Sequence, residues 1–231
     1  MPAWARFVGF LFLITAGILV LSHASARQFD IDREVDHQSS NLQTESSTRG
    51  LLINTAISQA LFAGLLASGI WLAQIPVGVF GITVPTVYTT TIGVSSGIGI
   101  MGINRAVSHL LDQPHMAETT AVRRVLTPGS RGGWGLLVCI VLPMIAVFEE
   151  AIFRGAMIGA IQQGYDVPIW VLIIVSSTLF GFGHSAQGRV GMVMTAIFGV
   201  ILGTVFVLTE SLAVVIIAHY IVNLSEFVYT S

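Results

Sequence analysis

Residues 134–160 read WGLLVCIVLPMIAVFEEAIFRGAMIGA, an apolar run that carries Glu149, Glu150 and Arg154 near its middle. A membrane-spanning helix needs about 20 predominantly apolar residues, and an ionised group at the bilayer centre costs about 2.5–3.5 kcal/mol on insertion scales. The run therefore predicts a membrane helix whose charges face a partner or a wet cavity. Glu150 and Arg154 stand at i and i+4 with the acid first, the favoured order for a helical ion pair. Glu149 points about 100° away from Glu150. It is left without a counter-charge, the setting in which a carboxylate can serve in acid and base work.

Similar runs lie near 51–73, 80–103, 168–187, 190–208 and 211–229, with a shorter one at 7–22. Together they predict an all-α, polytopic membrane helix bundle with about seven transmembrane helices. Composition agrees: 54% of the 231 residues are hydrophobic and 10% charged, and the mean hydropathy of +0.83 is far from that of a soluble domain. The expected surroundings are the lipid bilayer of the cell membrane. All ten basic residues are arginine, and a formal net charge of -2 offers no surface for nucleic acid. Cys139 is the one cysteine and lies in an apolar run, so it reads as a small buried hydrophobe rather than a disulfide partner or metal ligand.

Three regions follow from the patterning. Residues 1–50 form an N-terminal helix and a polar loop, 51–133 hold further transmembrane helices and an arginine-containing loop, and 134–231 form the chemical core. Arg6 before the first run and Ala24-Ser25-Ala26 after it give that run a signal-like look. A retained helix is favoured, because the later helices can direct insertion themselves. The stretch SARQFDIDREVDHQSSNLQTESSTRG lacks apolar periodicity and reads as a solvated loop. In the second polar stretch, the LL and AVRRVL pieces suggest short interfacial helix ahead of Pro128 and Gly129. Loops 23–50 and 104–133 hold seven arginines on one side of the expected bundle against Arg6 on the other, which places both loops, Arg189 and the C terminus in the cytoplasm. Gly93 and Gly97, and again Gly199 and Gly203, have the one-turn spacing that lets helix backbones approach closely.

Two later helices add chemistry to the glutamates. His184 follows Gly181 and Gly183 at the end of one run, while His219 and Asn223 share a face of the last helix at i and i+4. Glu149 and His219 lie near the midpoints of their runs, whereas His184 is about 10 Å from the midpoint of its own. Tilt or bending at Pro143 and at the glycines before His184 is needed to bring them together. Glu149 with His184 can hold and deprotonate a water while His219 and Asn223 donate to an oxyanion. Alternatively Glu149, His184 and His219 form a His2Glu set for zinc. HExxH is missing, so that set would be assembled from three helices, and a glutamate-activated water with no required metal is favoured.

EEAIFRG, FGFGH and HYIVN, in that order on apolar helices, resemble the three signature motifs of the CPBP family, also called Abi or CAAX protease and bacteriocin-processing proteins, which includes the type II CAAX prenyl endopeptidases. The resemblance covers about 134–231. It implies an intramembrane endopeptidase with Glu149 as the catalytic carboxylate, Glu150 and Arg154 beside it, His184 on the water, and His219 and Asn223 completing the site. The implied partner is a peptide or a prenylated protein substrate; members differ between prenyl-protein processing and bacteriocin maturation or immunity, and residues 1–133 do not choose among these. Glu210 stands where relatives often carry glycine. Two other classes compete. One is a membrane scaffold that keeps the motif without cutting. The other is a proton-coupled transporter, which would expect a second EExxxR or HxxxN in the first half, and neither is there.

Overall fold

The computed structural model describes residues 1–36, 45–110 and 123–228, and every regular element among them is helical. The main helices are α1 (Trp4–Asp36), α2 (Glu45–Leu72), α3 (Val87–Leu110), α4 (Arg131–Tyr165), α5 (Ile169–Phe182), α6 (Gly188–Thr209) and α7 (Leu212–Val228). Among the described residues, four stretches are long and apolar enough to cross a membrane: Trp4–Ser25, Thr48–Leu72, Arg131–Tyr165 and Ser185–Thr209. Ile169–Phe182 and Leu212–Val228 are shorter apolar helices. The chain is an all-α membrane bundle. Large apolar side chains such as Phe12, Leu13, Leu61, Trp71 and Ile174 are exposed on its outer faces, where lipid rather than protein would cover them.

Several boundaries differ from the sequence reading. The polar stretch after the first run does not break the helix, because α1 continues to Asp36 and α2 begins at Glu45; residues 37–44 of that stretch lie outside the described residues. The run expected at 80–103 is shifted. Val77–Phe80 form a 3₁₀ turn closed by Gly81 at φ 66°, and α3 starts only after Pro85. Thr86 and Thr89 set that start by exchanging bonds, Thr89 N–H to Thr86 Oγ1 at 3.2 Å and Thr86 N–H to Thr89 Oγ1 at 2.8 Å, in the manner of a capping box. In the second polar stretch α3 runs on to Leu110, a helical turn covers 123–126, and residues 111–122 lie outside the described residues. Cys139 is exposed rather than buried: its position on α4 faces outward, where lipid accepts a small apolar side chain as readily as the core does.

α1 is built into the core. Phe7, Leu11 and Ile14 are buried against α4 residues that include Phe148 and Ile152. Trp4 covers Gly164, where an added Cβ would sit 2.8 Å from the indole. The two glycine pairs do what their spacing suggested. At Gly93 and Gly97 a Cβ would come within 2.9–3.0 Å of backbone oxygens of α7, so α3 and α7 touch main chain to main chain. Gly199 sits against Ser177 of α5 in the same way, and Gly203 lies against Ile158 and Ile173.

α4 is not a uniform helix. Pro143 has no N–H to offer the carbonyl one turn earlier, and Leu137–Val141 just before it are wound as a π-helix. A second π segment, Ala151–Ala160, follows directly after the two glutamates. Such widened turns are one way a membrane helix re-satisfies backbone groups near a proline, and they recur at functional sites. Glu210 closes α6 at φ 47°, with its N–H on Phe206 O at 2.7 Å. That left-handed position is one glycine fills without strain, which accounts for a site where the resemblance expects glycine.

Candidate active site

Glu150 is the anchor of the buried charges. It and Arg154 are 0% and 1% exposed, and the pairing expected from i, i+4 spacing is made, with Arg154 Nη1 donating to Glu150 Oε1 at 2.8 Å. Arg154 Nη2 also donates to the Gly199 carbonyl at 3.2 Å, a bond reached because Gly199 lets α6 come close. Its guanidinium lies 4.6 Å from the centroid of the Phe180 ring, a cation–π contact that matters most where water is excluded. Glu150 Oε1 has a second partner that spacing alone did not suggest: His219 Nδ1, at 2.6 Å. Glu150 Oε2 and Arg154 Nε have no hydrogen-bond partner among the described residues.

Glu149 is placed differently. Its Oε2 has no hydrogen bond among the described residues, yet it lies 3.6 Å from His219 Nε2 and 3.9 Å from His184 Nε2. The tautomers follow from the other ring nitrogens. A carbonyl can only accept, so the 2.8 Å contact between His184 Nδ1 and Phe180 O places a proton on Nδ1. In the neutral ring Nε2 is then a lone pair aimed toward Glu149. His219 likewise donates through Nδ1 to Glu150, so its Nε2 faces Glu149 as an acceptor when the ring is neutral and as a donor when it is protonated.

The turn that carries His184 is held on several sides. His184 N–H bonds to Gly181 O at 3.0 Å, and its carbonyl accepts from Gln187 N–H at 2.9 Å. Gly181 presses against Met192 O and Ala196 of α6, so its missing side chain serves close packing of α5 on α6. From α1, Ser22 Oγ donates to Gly183 O at 2.6 Å and lies 3.0 Å from Ser185 Oγ.

Residues of α2 to α7 line a cavity of about 210 Å³ whose wall includes Glu149, His184, His219 and Asn223. Glu150 and Arg154 are not on that wall; they stand behind it. Asn223 is one turn beyond His219 on α7, so its amide adds a donor to the same space. For zinc the fit is poor. Ligands sharing a tetrahedral zinc at about 2.0–2.1 Å stand about 3.3 Å apart, less than the 3.6 and 3.9 Å separations here. Among the described residues, no group of three or more His, Cys, Asp or Glu is placed to hold a metal ion.

Residues 131–225, which span α4 to α6 and most of α7, match the family model described as type II CAAX prenyl endopeptidase Rce1-like. That stretch, less than half of the chain, is similar to the Rce1-like family. No curated protein and no solved structure matches the chain. The Rce1-like core contains each of the six residues singled out from the sequence, and the fold brings Glu149, Glu150, Arg154, His184 and His219 into one cluster with Asn223 beside it on the cavity.

Two aromatic residues of the Rce1-like core escaped the sequence reading. Phe180 has its ring centroid 4.7 Å from that of His184 and 5.9 Å from that of His219, and Phe198 lies 5.2 Å from His219. Together they fix both imidazole planes. Phe180 had a signal, since it stands four residues before His184 in FGFGH; Phe198 had none, because only the packing of α6 on α7 brings it there.

Proposed function

We propose that this protein is an intramembrane endopeptidase that hydrolyses a peptide bond with a water activated by Glu149 and His184. The observation that carries the reading is the pair of acceptors, Glu149 Oε2 and His184 Nε2, 3.9 Å apart on a cavity wall. A water at hydrogen-bond distance, about 2.8 Å, from each fits that gap. Both of its hydrogens are then engaged, and its lone pairs face the cavity. In the reaction Glu149 takes a proton as the water oxygen bonds to the carbonyl carbon. The oxyanion that forms accepts from the Asn223 amide and from a protonated His219. Collapse breaks the C–N bond, and Glu149 returns the proton to the leaving amine. Glu150 and Arg154 hold His219 in place and do not touch substrate. The family description, a prenyl endopeptidase, supports a peptide or prenylated-protein substrate.

The test is cleavage of a membrane-peptide library by the purified chain in nanodiscs, comparing wild type with Glu149→Gln, each with and without a chelator. Cleavage lost in the variant and kept with chelator is the expected result. Loss with chelator as well would replace the metal-free mechanism by a zinc one. Equal products from wild type and variant would overturn the reading in favour of a scaffold.

A further inference from the structure

We infer that a cavity between the starts of α2 and α4 binds the headgroup of an anionic phospholipid from the surrounding bilayer. The inference does not depend on the proteolytic reading. Its ground is a second cavity, of about 240 Å³, walled by Thr48, Arg49, Leu52 and Ile53 of α2 and by Gly132 and Leu136 of α4. The apolar stretches Thr48–Leu72 and Arg131–Tyr165 both begin here, which puts the cavity at the level where lipid headgroups meet the first acyl carbons. Thr48 Oγ1 donates to Val125 O at 3.2 Å, so the helical turn at 123–126 is tied to the same end of α2.

Charge and depth together name the occupant. Arg49 is on the wall, Arg131 stands between the wall residues Ser130 and Gly132, and Arg124 adjoins Val125. Among the described residues no carboxylate lines this cavity, whereas the active cavity has Glu149 and Glu226 on its wall. An anion is therefore drawn here and turned away there. The arginine fork binds phosphate oxygens through paired N–H groups, and arginines at the headgroup level favour anionic over neutral lipid. Leu52, Ile53 and Leu136 each lie four residues beyond Thr48, Arg49 and Gly132, about 6 Å deeper along their helices. A phospholipid has the same order, a charged phosphodiester above apolar carbons; a soluble anion would leave the lower half uncovered. Ile53 is 41% exposed, so the cavity is open on the side where acyl chains would lie. Leu52 is 1% exposed and lines both cavities, which makes it the partition between them. The bound lipid thus rests against a side chain that shapes the active cavity from α2.

The test is lipid retention by the full-length protein, purified in detergent, supplied with equal amounts of phosphatidylglycerol and phosphatidylcholine, and read by native mass spectrometry. Phosphatidylglycerol should be retained about fivefold over phosphatidylcholine, the worth of one arginine near the membrane surface. Arg49→Gln should bring the two lipids close to equal retention. Gly132→Leu tests the space rather than the charge, because it keeps every arginine, starts its side chain in open space and fills the cavity; it should erase the preference as well. Arg189→Gln removes one positive charge outside the cavity and should leave the preference unchanged. Equal retention in wild type, a preference that survives Arg49→Gln or Gly132→Leu, or one that Arg189→Gln lowers as much, would overturn the site. Inorganic phosphate separates lipid from free anion. At millimolar concentration it should leave the phosphatidylglycerol in place, and its displacing the lipid would overturn the lipid assignment in favour of a soluble anion.

Discussion

Glu149 and Glu150 are adjacent in sequence, yet the bundle treats them as different chemical species. Glu150 is fully enclosed and shares one oxygen between Arg154 and His219. Glu149 is 14% exposed, opens on the cavity and has two imidazole nitrogens near its Oε2, which makes no hydrogen bond among the described residues. The contrast originates in a 100° step of one helix and is completed by α7, which brings His219 between the two carboxylates. Buried ion pairs contribute little net stability, but breaking one is costly. On the proposed mechanism the Glu150–Arg154 pair is a mount, and Glu149 the working group it leaves free.

The first way to challenge that division is Arg154→Leu, which takes the arginine from the buried Glu150 and leaves it the His219 imidazole as partner. It should cost about 3–5 kcal/mol, read as a large fall in thermal midpoint in detergent. A fall no larger than that of Glu149→Gln would mean that the carboxylates are not divided in this way. Next, Glu149→Gln should lower the cleavage rate about 10²–10⁴-fold, the contribution of a positioned acid–base group, while the midpoint stays near wild type. Both results together define mount and working group; a folded, fully active variant would dissolve the distinction.

Smaller effects test how the cluster is held. Gly97→Leu forces a side chain into the main-chain contact with Ala218 and Ile221 of α7 and should destabilise by about 1–3 kcal/mol. Thermal unfolding of Gly97→Leu beside the outward-facing control Gly99→Leu, which has open space around it, isolates the steric part. The mildest is Ser22→Ala, which removes a bond to the turn carrying His184. It should cost about 0.5–1.5 kcal/mol and lower kcat with KM unchanged, because it loosens a reacting group and leaves the substrate wall intact. A change in KM alone would assign Ser22 to binding instead.

Local spacing made part of the site legible. Glu150–Arg154 and His219–Asn223 are i, i+4 pairs, and helical geometry alone puts the members of each on one face. The bond between His219 and Glu150 was not legible, because it joins α4 to α7 across 69 positions of sequence. The start of α3 was misplaced because hydropathy ran through residues 80–86, while Pro85 and the Thr86–Thr89 cap decide where helix begins. Polar residues 23–36 read as loop, since composition does not register that a helix already nucleated in the membrane can extend beyond it. Arg123 and Glu226 were both visible as charges, but their meeting depends on the turn at 123–126 folding back over the cavity.

The close approach of α3 to α7 at Gly93 and Gly97 has a mechanical consequence. Side chains can swing between rotamers, but two backbones already touching cannot slide past each other without parting. The helix that bears His219, Asn223 and Glu226 is thus a fixed jaw. Any widening of the cavity then falls to the opposite jaw, where α2 and α4 meet through the side chains of Leu52, Leu137 and Val141.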